Sequence, residues 1–288
     1  ETLIAKKSPL LFRVHEEPPP EKLESLRDTA ESAGLTLAKG QVLKTSHLNA
    51  LLAAAEGTEH DELINISTLR SMTQAYYSPS NFGHFGLALQ SYAHFTSPIR
   101  RYADLVVHRA LISAHGWGDD GLSPQGVDRL EQTATHISET ERRSMMAERD
   151  TNDRYLASYL SERVGNEFAG RISGIAKFGV FVKLDETGAD AMVPIRNLGA
   201  EYFHYDADDQ TLMGADSGMV IGLGQRATVQ LVEATPDTGG LIVDLLTLDG
   251  RTLPRGVNRG KGKPVRRKVG SSKRKGAKIK RKVSRTRR

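Results

Sequence analysis

The 288 residues are 38% hydrophobic, 26% charged and 6% aromatic, and no apolar run reaches the roughly 18 residues that a membrane-spanning helix requires. That is the composition of a globular chain of about two domains, and a cytoplasmic setting is the expectation. The absence of cysteine excludes a disulfide scaffold, a thiol nucleophile and a cysteine zinc site. The net charge of +5 hides two opposite parts: residues 251–288 hold 18 Lys and Arg with no Asp or Glu, which leaves 22 basic against 35 acidic residues, or −13, in 1–250. A tail so basic and so poor in apolar residues is expected to stay a disordered polyelectrolyte arm. Its expected partner is nucleic acid, bound tightly and with little sequence preference.

Residue 1 is Glu, and Glu1–Ala5 reads as the inside of a helix without a cap, so the chain is expected to begin within a domain. From Pro20 the pattern is helical, with Leu23, Leu26 and Ala30 on one face and Gly34 as the stop. Ser46 is a cap candidate for a short helix rich in Ala and Leu. Leu63, Ile66, Leu69, Thr73 and Tyr76 suggest another helix, ending before Pro79. A glycine-bearing loop, 78–86, then leads into Tyr92-Ala93-His94-Phe95-Thr96-Ser97-Pro98-Ile99-Arg100-Arg101-Tyr102-Ala103-Asp104. Ser97 as N-cap, Pro98 at the first helical position and apolar residues at 99, 102, 103, 106 and 110 predict a helix from Pro98. A long helix follows from about Ser123 to Arg163, with Val127, Leu130, Ala134, Ile137, Met145, Leu156 and Leu160 near one stripe that Glu148 interrupts.

Beyond Gly165 the period changes to that of strands. Runs at 168–175, 180–184, 191–195, 227–233 and 241–248, separated by Gly, Asp and Pro turns, predict a five-stranded OB-type barrel. The fold class is therefore α+β: a mainly helical part over 1–163, the barrel over 164–250, and the basic tail over 251–288.

Chemistry concentrates around Arg100. At the third position of a helix its charge is disfavoured by the positive end of the dipole, by up to about 1 kcal/mol, unless an anion sits there. Backbone amides, the Thr96 and Ser97 hydroxyls and the guanidinium fork would then converge on one phosphate, with His84, Tyr92, His94 and Arg101 close by. The alternative is an i, i+4 ion pair from Arg100 to Asp104. In the barrel, Lys177-Phe178-Gly179-Val180-Phe181 places Phe178 on a turn and Phe181 on the next strand. There they can stack on bases at about 1–3 kcal/mol each, while Lys177, Lys183 and Arg196 hold the backbone. Either ring could instead belong to the barrel core. His60, His115 and His136 have no ligand spacing and read as surface or core residues.

The run from His84 to Leu105 resembles the signature near the end of the RNB catalytic domain of ribonuclease II-type exoribonucleases, most closely in its ribonuclease R branch. Phe12-Arg13-Val14-His15-Glu16 upstream, Ala147-Glu148-Arg149-Asp150 downstream, an S1-type OB domain and a basic tail follow in the same order, so the resemblance covers nearly all of 1–250. It implies processive hydrolysis of RNA from the 3′ end to nucleoside 5′-monophosphates, with magnesium held by an aspartate cluster. Arg100 matches the family's catalytic arginine, which contacts phosphates at the reacting end and offsets transition-state charge; lysine lacks its bidentate fork. Glu148 matches a carboxylate near the RNA end that tunes grip and release, against the alternative of a salt bridge to Arg149 or Arg143. Pro194 stands where the S1 pattern often has His, and His204, beside Tyr202 and Tyr205, could replace that contact.

The departure from the family is in the metal site. The aspartate array D-x5-D-x-D-D does not occur, and Asp206-Ala207-Asp208-Asp209 has Ala200 where its first carboxylate would stand. No metal ligands are therefore assigned to this chain, Mg2+ is expected only in a complete enzyme with ligands upstream, and the isolated polypeptide is expected to be inactive. The expected partners are single-stranded RNA and structured RNA with a 3′ overhang, and no membrane. The chain is expected to be monomeric, with the tail offering a route to ribosome association. The competing reading is a non-catalytic RNA-binding protein, a decayed RNB remnant joined to an OB module.

Overall fold

The computed structural model of the chain describes residues 1–38, 43–58, 60–199, 201–207 and 210–252. The expected tail therefore lies outside the described residues except for Arg251 and Thr252.

The N-terminal part begins with a short helix α1 (Thr2–Ala5) and strand β1 (Phe12–Val14). Three helices follow, α2 (Pro20–Ser32), α3 (Thr45–Ala55) and α4 (Asp61–Ser71), then strand β2 (Tyr76–Ser78). Leu23, Leu26 and Ala30 of α2 pack on Leu48, Leu51 and Ala55 of α3 and on Ile64 of α4, and Gly34 takes the left-handed stop conformation beyond α2 at φ +71°. Helix α3 starts at Thr45, two residues earlier than a Ser46 cap requires, with Lys44 at the cap position. Helix α4 ends at Ser71, and its buried face is Ile64, Thr68 and Ser71, while Leu69 is exposed. Thr73 and Tyr76 thus leave the expected helix: Tyr76 joins β2, which pairs antiparallel with β1 through Phe12–Ser78, Arg13–Tyr77 and Val14–Tyr76.

A 3-10 turn at Phe85–Leu87 precedes α5 (Tyr102–His115), α6 (Pro124–Asp128) and α7 (Leu130–Ser161). Ser123 caps α6 by accepting the Gly126 amide at 3.1 Å, and a break at Arg129 separates α6 from the long α7. Val107 and Ala110 of α5 pack with Leu10, Phe12 and Val14; Ala103 and Val106 pack with Leu11, Tyr77, Leu130 and Ala134. The middle of α7 is bare: Met145, placed on the buried stripe by the sequence pattern, is exposed, as is Glu148. Burial resumes at Ala157 and Leu160, which close the core of the second domain.

That domain contains β3 (Glu167–Ala176), β4 (Gly179–Leu184), β5 (Asp190–Pro194), β6 (Phe203–Asp206), β7 (Thr211–Gly214), β8 (Val220–Ile221), β9 (Arg226–Thr235), β10 (Gly240–Leu248) and β11 (Arg251–Thr252). Strands β3, β4, β5, β9 and β10 are the five expected ones. They close into a barrel, because β9 pairs with both β3 and β10, and β10 runs parallel to β5. Alternate inward residues such as Ile172, Val182, Val193, Val229 and Val243 are fully buried, each contributing about 1.5–3 kcal/mol over exposure. The antiparallel sheet β6–β7–β8 is an addition to the expected five, and Arg251–Thr252 pair with Thr247 and Leu248 rather than opening the tail.

Candidate nucleic-acid interface

The signature segment is stitched onto β1. Arg13 N–H donates to Tyr92 O at 2.8 Å, His15 N–H to Gly83 O at 3.1 Å, and Phe85 N–H to His15 O at 2.7 Å. These bonds satisfy the free edge of β1 and bring His15, His84, Tyr92 and His94 into one row. Ring centroids lie 5.1 Å apart for His15–His84, 5.2 Å for His84–Tyr92, 5.6 Å for Tyr92–His94 and 5.6 Å for Tyr77–His94. The rings are held rigidly: Gly86 N–H donates to His15 Nδ1 at 2.8 Å while Nε2 faces Thr73 O at 2.9 Å, and Tyr77 Oη bonds His94 Nδ1 at 2.9 Å. Burial, then the positive charges of Arg101 and Arg13, pull the His94 pKa down to about 4, so His94 is neutral near pH 7. Burial, then His15, also lowers that of His84. The wall is aromatic, and Arg13, 4.7 Å above the Tyr77 ring and 2.6 Å from Glu141, anchors it to α7.

The helix after this wall begins at Tyr102, not at Pro98. Arg100 and Arg101 both donate their amides to Ser97 O, at 3.2 and 3.1 Å, so 97–101 form a turn, and Arg101 is extended at φ −125°. The cause is Asp104. Its carboxylate, 0% exposed, takes the Ser97 amide at 2.6 Å and the Arg101 Nε and Nη2 at 3.0 and 2.9 Å. Ser97 is therefore not an N-cap: its own amide is bound by the acid in the first turn of α5, which also complements the helix dipole. Burial alone would raise the Asp104 pKa, but the Arg101 and Ser97 bonds outweigh it and hold it below the ordinary value.

Two sequence expectations change here. Arg100 does not occupy the third helical position, and the arginine paired with Asp104 is Arg101 at i, i+3. Arg100 itself is exposed, next to an almost fully exposed Ile99, and its side chain has no partner among the described residues. A buried ion pair thus shapes the turn that presents a free guanidinium. Thr96 is exposed beside it. Glu148 lies on the bare stretch of α7 and forms neither expected salt bridge; Arg149 instead faces Asp153 at 3.9 Å.

On the barrel, Phe178 is 59% exposed on the turn before β4, and Phe181 stands edge-on to it at 6.0 Å on the strand. Gly179 makes the turn at φ +156°, with Val193 O so close that a side chain would meet it at 2.2 Å. Lys177, Lys183 and Arg196 are exposed. His204, on β6, is exposed and edge-on to Tyr202 at 4.9 Å. Arg13, Tyr77 and Glu141 were missed as site residues. The available signal was that Arg13 and His15 alternate with buried Phe12 and Val14 on a strand, and so share one face.

Among the described residues no three His, Asp or Glu side chains gather as a metal site. Asp206 ends β6, and Asp208 and Asp209 lie outside the described residues.

Residues 1–115 match the RNB domain family model and residues 161–246 the S1 RNA-binding domain model. The chain therefore belongs to the RNB family, with an S1 RNA-binding domain attached. Within that family its relatives are ribonuclease R. It is 37% identical to the Escherichia coli protein over 280 residues, 94% of this chain and 34% of that one. It is 36% identical to the Aquifex aeolicus protein over 238 residues, 83% of this chain and 34% of that one. The chain spans about a third of the length of these relatives. Mycoplasma genitalium RNase R, solved in complex with ribose-methylated single-stranded RNA, superposes with a TM-score of 0.77 at 30% identity, covering 84% of this chain and 38% of that one. Yeast Ssd1, a pseudonuclease, shares the fold at a TM-score of 0.53 and 19% identity, over 73% of this chain and 26% of that one. No helix among the described residues is long and apolar enough to cross a membrane.

Proposed function

We propose that this chain is part of a processive 3′-to-5′ hydrolytic exoribonuclease that releases nucleoside 5′-monophosphates, and that its described residues bind and place RNA. The observation that carries this reading is the Arg100 guanidinium, without a partner among the described residues, presented by the Asp104–Arg101 turn next to the aromatic His84–Tyr92–His94 wall. The fork binds phosphate oxygens bidentately at the reacting end and offsets charge that develops there. The rings pack against ribose and base, with Thr96 and Ser97 hydroxyls bordering the phosphate and Arg101 shaping its seat. Glu148 faces the departing RNA end. On the barrel, Phe178 and Phe181 stack bases while Lys177, Lys183, Arg196 and His204 follow the backbone. Single-stranded RNA, or structured RNA with a 3′ overhang, is the substrate class, and magnesium comes with carboxylates outside this sequence. The basic tail adds indiscriminate phosphate contacts and a route to ribosomes; the working unit is a cytoplasmic monomer.

The test uses the 288-residue chain with 3′-labelled single-stranded RNA and magnesium. Binding without release of monophosphates is expected, and robust hydrolysis would overturn the assignment of the metal ligands elsewhere. With about six phosphates neutralised, affinity should fall a few hundredfold from about 50 to 200 mM salt. In a longer polypeptide carrying the aspartate array, Arg100→Lys should slow cleavage far more than it weakens binding; equal losses reduce Arg100 to a gripping role.

A second reading, a non-catalytic RNA-binding protein, is favoured by one observation: the fold is shared with a pseudonuclease. Coding sequence ahead of Glu1 separates the two. An in-frame aspartate array supports the enzyme, and a start codon directly ahead supports the binding protein.

A further inference from the structure

The proposed function leaves unexplained how RNA held on the barrel is kept in register with RNA at Arg100. Arg70 bears on this. It lies in the last turn of α4, where a cation also complements the carboxyl end of the helix dipole, and it reaches across 103 residues of sequence to the barrel. Nη2 donates to Ser173 O at 2.6 Å and Nη1 to Gln210 Oε1 at 3.0 Å.

Both acceptors are irregular points, Ser173 on the barrel and Gln210 just before β7 of the added sheet. The β3–β4 register runs Ile172–Val182 and then Gly174–Phe181, so Ser173 is a bulged extra residue. A bulge removes a residue from the ladder and leaves its carbonyl free for another donor. Gln210 is a non-glycine residue at φ +50°, a conformation that costs on the order of 1 kcal/mol and that surrounding contacts must hold. The guanidinium and the aromatic platform both border Gly174: a Cβ there would meet the Phe181 ring at 3.2 Å and Arg70 Nη2 at 3.6 Å.

Two glycines complete the docking. Any side chain at Gly224, before β9, would meet the Leu63 amide of α4 at 3.1 Å, and one at Gly239, in the β9–β10 turn, would meet Asp153 of α7 at 2.8 Å. Beside the packing of Ala157 and Leu160 into the barrel core, Arg70 adds two directed hydrogen bonds from a charged group across this junction.

We propose that Arg70 is a positioning residue, a latch that fixes the barrel and its Phe178–Phe181 platform on the RNB segment so that the platform and Arg100 form one rigid track for a single RNA strand. This rests on the RNA-binding reading above. When both stations are held at a fixed separation, occupation of one raises the effective concentration of the strand at the other. A latch of this kind strengthens binding only of RNA long enough to reach both.

The experiment compares the wild-type chain with Arg70→Ala and Arg70→Lys. Amide exchange around Ser173, Gly174 and α4 and small-angle scattering report the latch without RNA. Affinities for a hexanucleotide and for a single strand of about 20 nucleotides report its use. Arg70→Ala should speed exchange at Ser173 and Gly174, broaden the scattering profile, weaken the long strand about tenfold and leave the hexanucleotide within about twofold. Arg70→Lys, which cannot serve both acceptors with a planar fork, should lie between. Unchanged exchange and scattering would overturn the latch. An equal loss for both RNAs with unchanged exchange would make Arg70 a direct RNA contact instead. If the wild-type chain binds neither RNA, it is the RNA-binding reading that fails, and the RNA-free measurements still decide the latch.

Discussion

The turn that presents Arg100 depends on one buried carboxylate, and Asp104→Asn tests that dependence. Asp104 accepts three N–H groups, one from Ser97 and two from Arg101. The asparagine keeps its shape and one acceptor oxygen but turns an NH2 group toward donors and removes the charge opposite Arg101. Breaking a fully buried pair from one side costs about 3–5 kcal/mol. Here the Arg101 side chain is 20% exposed and recovers part of its hydration, so about 2–3 kcal/mol is expected, a 30- to 150-fold shift in the folding equilibrium. Urea unfolding followed through Trp117, the only tryptophan, reads this directly, because Trp117 stacks on His115 at the end of α5 with centroids 4.4 Å apart. Arg101→Met alone should cost less, since the remaining carboxylate can protonate. The double variant should be less harmful than the two single effects added, by about 1 kcal/mol or more. A loss below about 0.5 kcal/mol for Asp104→Asn, or strictly additive effects, would refute the claim that this ion pair shapes the turn.

Other consequences are equally open to measurement. His94 binds a proton near pH 6.5 when unfolded but only near pH 4 when folded, so the unfolded state holds more protons between these values and stability should rise with pH across that window. Full linkage would give about 3 kcal/mol, and partial exposure reduces it to about 1–2. His94→Gln should flatten the slope in unfolding curves taken from about pH 4 to 7, and an unaltered slope would assign it to other groups. The Asp104 contribution is lost at still lower pH, as its depressed folded pKa is crossed. Phe178→Ala should leave stability within about 0.5 kcal/mol and weaken RNA binding by about 1–3 kcal/mol, read by titration; a stability loss without an affinity loss would place the ring in the core. Gly179→Ala drives a methyl group into Val193 O and should cost the barrel at least about 2 kcal/mol. Gly250→Ala, at φ +75° with open space around it, should cost only about 1. Equal effects in thermal melts would contradict the crowding at Gly179.

Much of this protein follows from local pattern alone. Hydrophobic periods of 3.6 and 2 placed α2, the buried ends of α7 and all five barrel strands, because each of those segments buries one face and its neighbours in sequence declare the period; the one helix expected from Ser123 is instead divided at Arg129 into α6, which buries no residue, and α7. The charge asymmetry and the run from His84 to Leu105 pointed to RNA and to the family before any contact was known. Local pattern went astray where a distant or competing partner outbid propensity. Pro98 and Ser97 carry a helix-start signal, yet the Asp104 carboxylate takes the Ser97 amide and delays α5 to Tyr102. Thr73 and Tyr76 follow a helical spacing, yet β1 offers Tyr76 a ladder. The small sheet β6–β8 has strands of four, four and two residues, too short to show a period. Pairings such as Arg13 with Glu141 and Arg70 with Ser173 join residues more than 100 positions apart. Only the packed chain brings such groups within hydrogen-bonding distance, so the residue types were legible in the sequence while the wall, the buried ion pair and the latch were decided by tertiary structure.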